Sequence, residues 1–282
     1  MRIPVFFAKR FIAGETIEDA LKIIETYNSK NILVTIDYLG GIVKEKKRAK
    51  QVTQKYLEIL EKIGAENYGT SISIKLSQLG LLIDKQFALE NVTIIVKKAK
   101  QLGLLVEIDM ESSKRVQDTI DLYNLLVKKY PNITITIQAY LSRSEKDVRD
   151  IIAKNGKIRL VKGVYKEEKS VIIQEEDLVI ENFIKLTKLC LDKSSLVKIA
   201  THDDKIIEKA KEYIEEKNIS KNRFEFEFLY GVKPSLPEKI IESGYTARVY
   251  LPFGENWFHY FIRRLIEGRT SLASILRTIL RS

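Results

Sequence analysis

Short runs of β-branched and other apolar residues alternate along the chain with longer stretches of helical periodicity. Eight runs have the length and composition of strands: ILVTID (32–37), SISIKL (71–76), LLVEIDM (104–110), ITITIQ (133–138), IRLVKG (158–163), LVKIATH (196–202), FEFEFLY (224–230) and YTARVY (245–250). Helical patterns lie between them, over 44–63, 84–101, 112–129, 144–154, 174–192, 203–217 and 235–243. Strands that alternate with helices form parallel sheets, and eight such units favour a closed (β/α)8 barrel over an open sheet.

Both ends of the chain carry helical patterns outside this repeat. Thr16 and Asp19 form a predicted capping box, so residues 1–30 are predicted to be an N-terminal helical segment. The last residues, SLASILRTILRS, are apolar and basic at helical spacing. We therefore predict one domain with its barrel at 31–268 and a tail helix at 269–282.

The composition excludes several classes of protein and several kinds of functional site. The 282 residues are 45% hydrophobic and 30% charged, which is typical of a globular protein. No apolar run approaches the roughly 20 residues of a membrane helix, and the N-terminus lacks a secretory pattern, so a cytoplasmic location is expected. With one cysteine, the chain can form neither an internal disulfide nor a Cys-rich metal site. It has two histidines, and we predict no bound metal. Cys190 lies in a helical pattern and is interpreted as a structural thiol.

The formal net charge is +10. Such an excess of positive charge is typical of proteins that bind nucleic acid, an anionic membrane surface or an anionic ligand. The lysines are scattered and mixed with acidic residues, however, which favours a solvated surface for most of this charge.

Polar side chains end the eight predicted strands. Run by run they are Asp37, Lys75, Asp109, Gln138, Arg159 with Lys162, Thr201 with His202, Tyr230 and Tyr250. The carboxyl ends of barrel strands hold the active site in enzymes of this fold, so the set indicates a polar ligand. The chain has neither GxGxxG nor GxxxxGK[ST], so a nucleotide cofactor would have to be held by these strand-end residues.

A helix predicted over about 256–267 carries charge on an otherwise apolar surface. Tyr260, Arg263, Arg264 and Glu267 share one face of it. Buried arginines need anionic partners, and Glu267 can neutralise only part of one. The remaining charge suits a carboxylate held in bidentate fashion, and a surface ion-pair cluster is the alternative.

The segment VYLPFGENWFHYFIRRLIEG (249–268) resembles the C-terminal signature of the proline dehydrogenase family. In that signature a tyrosine, a P-x-G turn and Y-x-x-R-R-x-x-E follow in order. Other segments resemble the family in the right order over nearly the whole chain: RFIAGETIEDAL, SISIKLSQLGL, EIDMES, IQAYLSRSEKD, IRLVKGVYKE, ATHDD and FEFEFLYGV. One departure is IDYLGG at 36–41, where many relatives read LDYLGE.

The resemblance implies a distorted (β/α)8 barrel with its eighth helix over the mouth. It implies FAD held without a covalent bond, and oxidation of L-proline to Δ1-pyrroline-5-carboxylate by hydride transfer to flavin N5. Electrons then pass to a membrane quinone, so we predict peripheral contact with the inner face of the cell membrane. The tail helix either binds that surface or packs on the barrel. A separate pyrroline-5-carboxylate dehydrogenase takes the product, and no nucleic acid partner is expected.

The resemblance also implies roles for individual residues. Five match positions that bind the substrate: Lys75, Arg263, Arg264, Tyr260 and Leu229. Three match catalytic positions: Asp109, Arg159 and Tyr250. Nine match positions that contact the flavin: Met110, Gln138, Arg159, Lys162, Gly163, Val164, Tyr165, Thr201 and His202. Asp109 is a candidate to take the proton of the proline nitrogen, although nearby cations favour its ionised form.

Three other functions stay open from the residues alone. A Schiff-base aldolase would use Lys75 or Lys162 as its nucleophile, and borohydride trapping with substrate would support it. A basic nucleic-acid-binding protein would show strongly salt-dependent binding. The closest alternative is a flavin barrel that acts on another cyclic amino acid, such as hydroxyproline.

Overall fold

Eight parallel strands close into a barrel in the computed structural model, which describes residues 10–66, 69–258 and 260–262. The strands are β1 (Leu33–Tyr38), β2 (Ser71–Ile74), β3 (Leu105–Ile108), β4 (Ile133–Gln138), β5 (Lys157–Val161), β6 (Val197–Ala200), β7 (Phe224–Leu229) and β8 (Ala247–Phe253). Each strand pairs with the next, and β8 closes the barrel on β1 from Leu33↔Arg248 to Tyr38↔Phe253. The predicted (β/α)8 fold is confirmed, with all eight strands in their predicted places.

The helices alternate with the strands. They are α1 (Ile17–Asn28), α2 (Lys46–Glu66), α3 (Lys85–Gln101), α4 (Val116–Val127), α5 (Ser144–Ile152), α6 (Glu176–Lys193), α7 (Asp204–Glu216) and α8 (Leu236–Glu242). The predicted capping box begins α1, where the Asp19 backbone N–H donates to Thr16 Oγ1 at 3.2 Å. Helix α4 begins later than predicted because a 3₁₀ turn over Ser113–Arg115 precedes it.

The end of the chain is described only in part. Residues 257, 258 and 260–262 are helical, in agreement with the helix predicted over about 256–267. The rest of that helix and the predicted tail helix at 269–282 lie outside the described residues. Among the residues that are described, no helix combines the length and apolar character needed to cross a bilayer.

Alternate residues of the strands face opposite sides of the barrel wall. One set is apolar and buried in the main hydrophobic cluster with the helices: Ile36, Ile72, Ile108, Ile135, Leu160, Ile199, Phe226 and Val249. The other set is largely polar and bonds between strands that are not neighbours. Glu107 on β3 accepts from Thr35 on β1 at 2.7 Å and from Lys198 on β6 at 2.5 Å. Such bonds cross the barrel, so polar side chains fill an interior that branched apolar residues usually fill in this fold.

The lower part of this interior is an ion-pair network. Arg248 is 2% exposed, and its guanidinium donates to Glu225 at 2.6 Å and to Ser71 at 3.1 Å. Lys198 is fully buried between Glu107 and Glu225. Burial opposes the ionisation of Glu225, but Arg248 and Lys198 outweigh it and lower its pKa to about 2. Buried charges persist when they are paired in this way.

Candidate active site

A cavity of about 450 Å³ lies at the carboxyl ends of the strands, which is the size of a small-molecule or cofactor site. Fourteen of the predicted site residues line it: Lys75, Asp109, Met110, Gln138, Arg159, Lys162, Gly163, Val164, Tyr165, Thr201, His202, Leu229, Tyr250 and Tyr260. The other two, Arg263 and Arg264, lie outside the described residues. The structure therefore brings the described candidates to one place, while the role of each stays a prediction.

Seven further residues complete the lining: Asp37, Thr136, Val161, Ala200, Asp203, Glu227 and Phe228. Asp37 ends a predicted strand but has no counterpart among the predicted roles. Thr136 and Glu227 lie within β4 and β7, and the strict alternation of ITITIQ and FEFEFLY was the signal that could have found them.

One strand-end candidate lies elsewhere. Tyr230 does not line the cavity; its ring packs edge-on against Tyr27 of α1, with 6.2 Å between the centroids. The reason is that β7 ends at Leu229, whose side chain faces the cavity, and the next residue points to the opposite side of the wall. Tyr250 faces the cavity from within β8, which continues to Phe253 rather than ending at 250.

Lys75 is the centre of a polar cluster in the cavity wall. It follows β2, and its Nζ lies 2.5 Å from Asp37 Oδ1 and 2.9 Å from Asp109 Oδ2. Tyr250 Oη donates to Asp109 Oδ2 at 2.7 Å and lies 3.4 Å from Lys75 Nζ. Four strands thus contribute to one cluster, which fixes the orientation of each side chain.

The charges of this cluster follow from its geometry. Burial opposes the charge on Lys75, but Asp109 and Asp37 outweigh it and raise its pKa well above the usual value. Burial also opposes ionisation of Asp109, and the cations Lys75 and Arg159 together with the Tyr250 hydrogen bond lower its pKa. For Asp37 burial prevails and raises the pKa. A Schiff base needs a neutral amine, so a charged Lys75 argues against the aldolase alternative.

Arg159 on β5 is held from three other strands. Its Nε donates to Glu227 on β7 at 2.6 Å, and its Nη1 lies 3.4 Å from Asp109 Oδ1. Its guanidinium carbon lies 4.5 Å from the centroid of the Tyr250 ring, within the range of a cation–π contact. The side chain is 8% exposed, so its charge faces the cavity from a fixed position.

The loops after β5 and β6 form the opposite wall. Lys162 Nζ donates to Asp203 Oδ2 at 2.7 Å. Gly163 has a φ of +114°, and a Cβ there would lie 2.1 Å from the ring of Tyr140, so only glycine fits. His202 Nε2 accepts from the Leu229 backbone N–H at 3.1 Å, which assigns an unprotonated Nε2.

Several polar atoms of the cavity wall have no hydrogen-bond partner within the described part of the chain. Among them are Gln138 Oε1, Thr136 Oγ1 and Glu227 Oε2, and all three side chains are buried. A buried polar atom without a partner is costly, so a ligand that supplies one is favoured there. The Gln138 amide offers a donor and an acceptor, which suits a ring system with both. The described ranges contain no group of three or more His, Cys, Asp or Glu arranged to hold a metal ion.

Comparison with known proteins identifies the family. A sequence model of the proline dehydrogenase family matches residues 20–277. The chain belongs to this family. Proline dehydrogenase 2 of Bacillus subtilis is 37% identical over 266 residues, which are 94% of this chain and 88% of that protein. Proline dehydrogenase 1 of the same species is 35% identical over 97% of this chain and 91% of its own length.

A more distant relative belongs to the same family, and a solved structure shares the fold. The proline dehydrogenase of Deinococcus radiodurans is 31% identical over 97% of this chain and 90% of its own length. The structure of proline utilization A from Bdellovibrio bacteriovorus, inactivated by N-propargylglycine, superposes with a TM-score of 0.88 at 23% identity. It matches 94% of this chain and 33% of the larger protein, and this likeness shows the fold. The family membership makes the chain an enzyme that oxidises proline, as the sequence motifs predict.

Proposed function

We propose that this enzyme oxidises L-proline to Δ1-pyrroline-5-carboxylate with FAD held in the cavity. The observation that carries the proposal is the convergence of fourteen predicted site residues on one cavity at the carboxyl ends of the strands. We propose further that residues 1–282 form a single domain. Electrons pass on to a membrane quinone through peripheral contact with the bilayer, and a separate dehydrogenase takes the product.

The proposed substrate site is the part of the cavity around Lys75. The weakest of the three contacts of Lys75 Nζ is the 3.4 Å contact to Tyr250, and a substrate carboxylate would replace it. Tyr260 and Leu229 line the same cavity and supply apolar surface for the proline ring. Arg263 and Arg264 complete the carboxylate site in this proposal, because their places in the family signature match residues with that role.

Asp109 and Tyr250 are proposed to orient the proline nitrogen. Proline carries a proton on that nitrogen in water, and a cationic amine does not readily give up a hydride. An ionised Asp109 attracts the cationic nitrogen, and its lowered pKa suits orientation more than removal of the proton. The hydrogen bond from Tyr250 fixes the direction of the carboxylate.

The donor set of the cavity fits a flavin. When bound, FAD supplies the acceptor for the hydride that leaves the ring carbon next to the nitrogen. Gln138 offers its unpaired amide oxygen, and Arg159 offers a buried positive charge near the reacting groups. The remaining proposed contacts are Met110, Lys162, Gly163, Val164, Tyr165, Thr201 and His202, all in the cavity wall.

The absorption spectrum of the purified protein tests this proposal. We expect a flavin spectrum, and we expect anaerobic addition of L-proline to bleach it. A colourless protein that takes up no added FAD would contradict the cofactor, and a flavin that proline leaves oxidised would contradict the reaction.

Arg263→Ala separates substrate from cofactor. Hydrogen bonds to charged groups contribute roughly 1.5–3 kcal/mol, so the loss of one arginine is expected to raise KM for proline about 10- to 150-fold. Arg263→Lys should recover part of this loss, because an ammonium group keeps the charge without the planar fork. The ratio of flavin to protein should not change in either variant. An unchanged KM with lost FAD would assign this residue to the cofactor instead.

A further inference from the structure

Glu227 lies under Arg159 in the floor of the cavity. Its Oε1 accepts from Arg159 Nε at 2.6 Å, and its side chain has no solvent exposure. Its Oε2 has no hydrogen-bond partner within the described residues, although Glu227 lines the cavity. The same Arg159 Nε lies 3.5 Å from Glu107 Oε2. Two carboxylates therefore approach the same nitrogen of a single cation.

The described part of the barrel interior holds buried charges of both signs. Its acids are Asp37, Glu107, Asp109, Glu225 and Glu227, and its most buried cations are Lys75, Arg159, Lys198 and Arg248. Lys157, half-buried at the start of β5, adds a cation near Glu225. Glu107 and Glu225 each contact Lys198 and sit deeper, whereas Glu227 contacts Arg159 and reaches the cavity.

Of the three described acids that contact Arg159, Glu227 is therefore the one most readily neutralised by a proton, because the pKa values of Glu107 and Asp109 are lowered. Burial raises its pKa to about 7, with nearby Glu107 adding to the rise while Arg159, Lys198 and Arg248 oppose it. Ionisation of Glu227 offsets part of the charge of Arg159, and protonation leaves Asp109 at 3.4 Å and Glu107 at 3.5 Å as its counter-charges.

We propose that Glu227 is a positioning residue that holds Arg159 in place and sets, by its own ionisation, the charge that Arg159 presents to the cavity. This inference rests on the proposed function, since its effect is read from a bound flavin. An ionised Glu227 disfavours extra negative charge in the cavity, and a protonated or neutral residue at that position favours it.

Glu227→Gln in the holoenzyme tests this inference through the ratio of reduced to oxidised flavin at a fixed potential. Coulomb's law gives about tenfold for a unit charge about 10 Å away at an effective dielectric constant of about 20. We expect the ratio to rise about tenfold over wild type at pH 8.5, or about 30 mV for a two-electron couple. At pH 5.5, where Glu227 is protonated, we expect wild type and variant to agree.

Glu225→Gln is the matched control. Glu225 is on the same strand and is paired with Arg248 at 2.6 Å, but it does not line the cavity. Its removal disturbs a buried ion pair to a similar degree. The pKa of Glu225 is lowered to about 2, so it is ionised at both pH values, and we expect Glu225→Gln to give a smaller shift of the flavin ratio that is the same at pH 5.5 and pH 8.5. Equal shifts in both variants, or no shift in Glu227→Gln at pH 8.5, would overturn the inference.

A second pair of variants covers a failure of Glu227→Gln to fold. Glu227→Asp keeps the negative charge, but the shorter side chain moves the carboxylate away from Arg159. Glu225→Asp moves a carboxylate away from Arg248 in the same manner, outside the cavity wall. We expect Glu227→Asp to change KM for proline at least fivefold and Glu225→Asp to leave it within twofold; equal KM values would overturn the inference. A wild-type protein that binds no flavin would refute the proposed function, whereas unresponsive variants of a flavin-loaded protein refute this inference alone.

Discussion

Replacing Lys75 by methionine removes the cation that two buried carboxylates share. Methionine has a similar length and fills the space of the lysine stem. Asp37 and Asp109 then face each other without the ammonium that lies 2.5 and 2.9 Å from them, and their side chains are 3% and 11% exposed. Breaking a buried ion pair in this way costs about 3–5 kcal/mol of unfolding free energy.

The chain contains a matched control for this change. Lys85 Nζ also contacts two carboxylates, Asp118 at 2.8 Å and Asp121 at 2.7 Å, but all three side chains are more than 40% exposed. Solvent screens such a pair, and its loss costs about 0.2–1 kcal/mol. Urea unfolding at pH 7, with flavin content matched among the proteins, should therefore show a much larger loss for Lys75→Met than for Lys85→Met.

The dependence on pH gives a second check on Lys75→Met. Burial already raises the pKa of Asp37 above the unfolded value of about 3.9, and the loss of the Lys75 cation raises it further. A raised pKa of an acid means stability that is present at low pH and lost as pH rises through the folded value. The deficit of Lys75→Met should thus be smaller at pH 5 than at pH 7. Equal losses for the two lysine variants, or a deficit independent of pH, would contradict the role of Lys75 as the buried counter-charge.

Three further outcomes are expected. Tyr250→Phe keeps the ring and loses the hydrogen bond to Asp109, so kcat/KM for proline should fall about 10- to 150-fold with an unchanged circular dichroism spectrum; unaltered kinetics would contradict the role. The pKa of Glu225 is lowered to about 2, so its ionisation contributes about 3 kcal/mol to the free energy of unfolding above pH 4.5. This contribution decreases as the pH falls, and in urea unfolding Glu225→Gln should lose less stability than wild type between pH 5 and pH 3. Cys190 is 1% exposed and burial raises its thiol pKa, so Cys190→Ser should leave turnover unchanged and the folded wild type should resist thiol reagents.

The sequence carries enough local information to place the strands. Runs such as ITITIQ and FEFEFLY alternate between apolar and polar residues, and turns or helical patterns bound them. Their order alternates with helices, and parallel strands joined by helical crossovers have few stable arrangements, so the closed barrel could be predicted. The strand ends then named nine of the 21 residues that line the cavity, because closure brings all carboxyl ends to one mouth.

The same alternation held information that strand-end reasoning missed. Glu107, Lys198, Glu227 and Arg248 lie within strands, where charged residues are expected to be exposed. They are buried because each meets an opposite charge inside the barrel, as Lys198 meets Glu107 from 91 residues away. The pattern shows that one side of these strands is polar, but not that this side is the interior.

Which charges meet is set by the way the barrel closes. The pairing of Arg159 with Glu227, and of Lys75 with both Asp37 and Asp109, depends on the registers that close the barrel. A shift of one residue in any strand would turn its polar side chains away from the interior. Pairing in turn sets the protonation states. A buried carboxyl group is ionised when a cation lies beside it, and burial favours its protonated form when no cation does. Residue type fixed the available charges, and their positions after closure determined which of them are compensated.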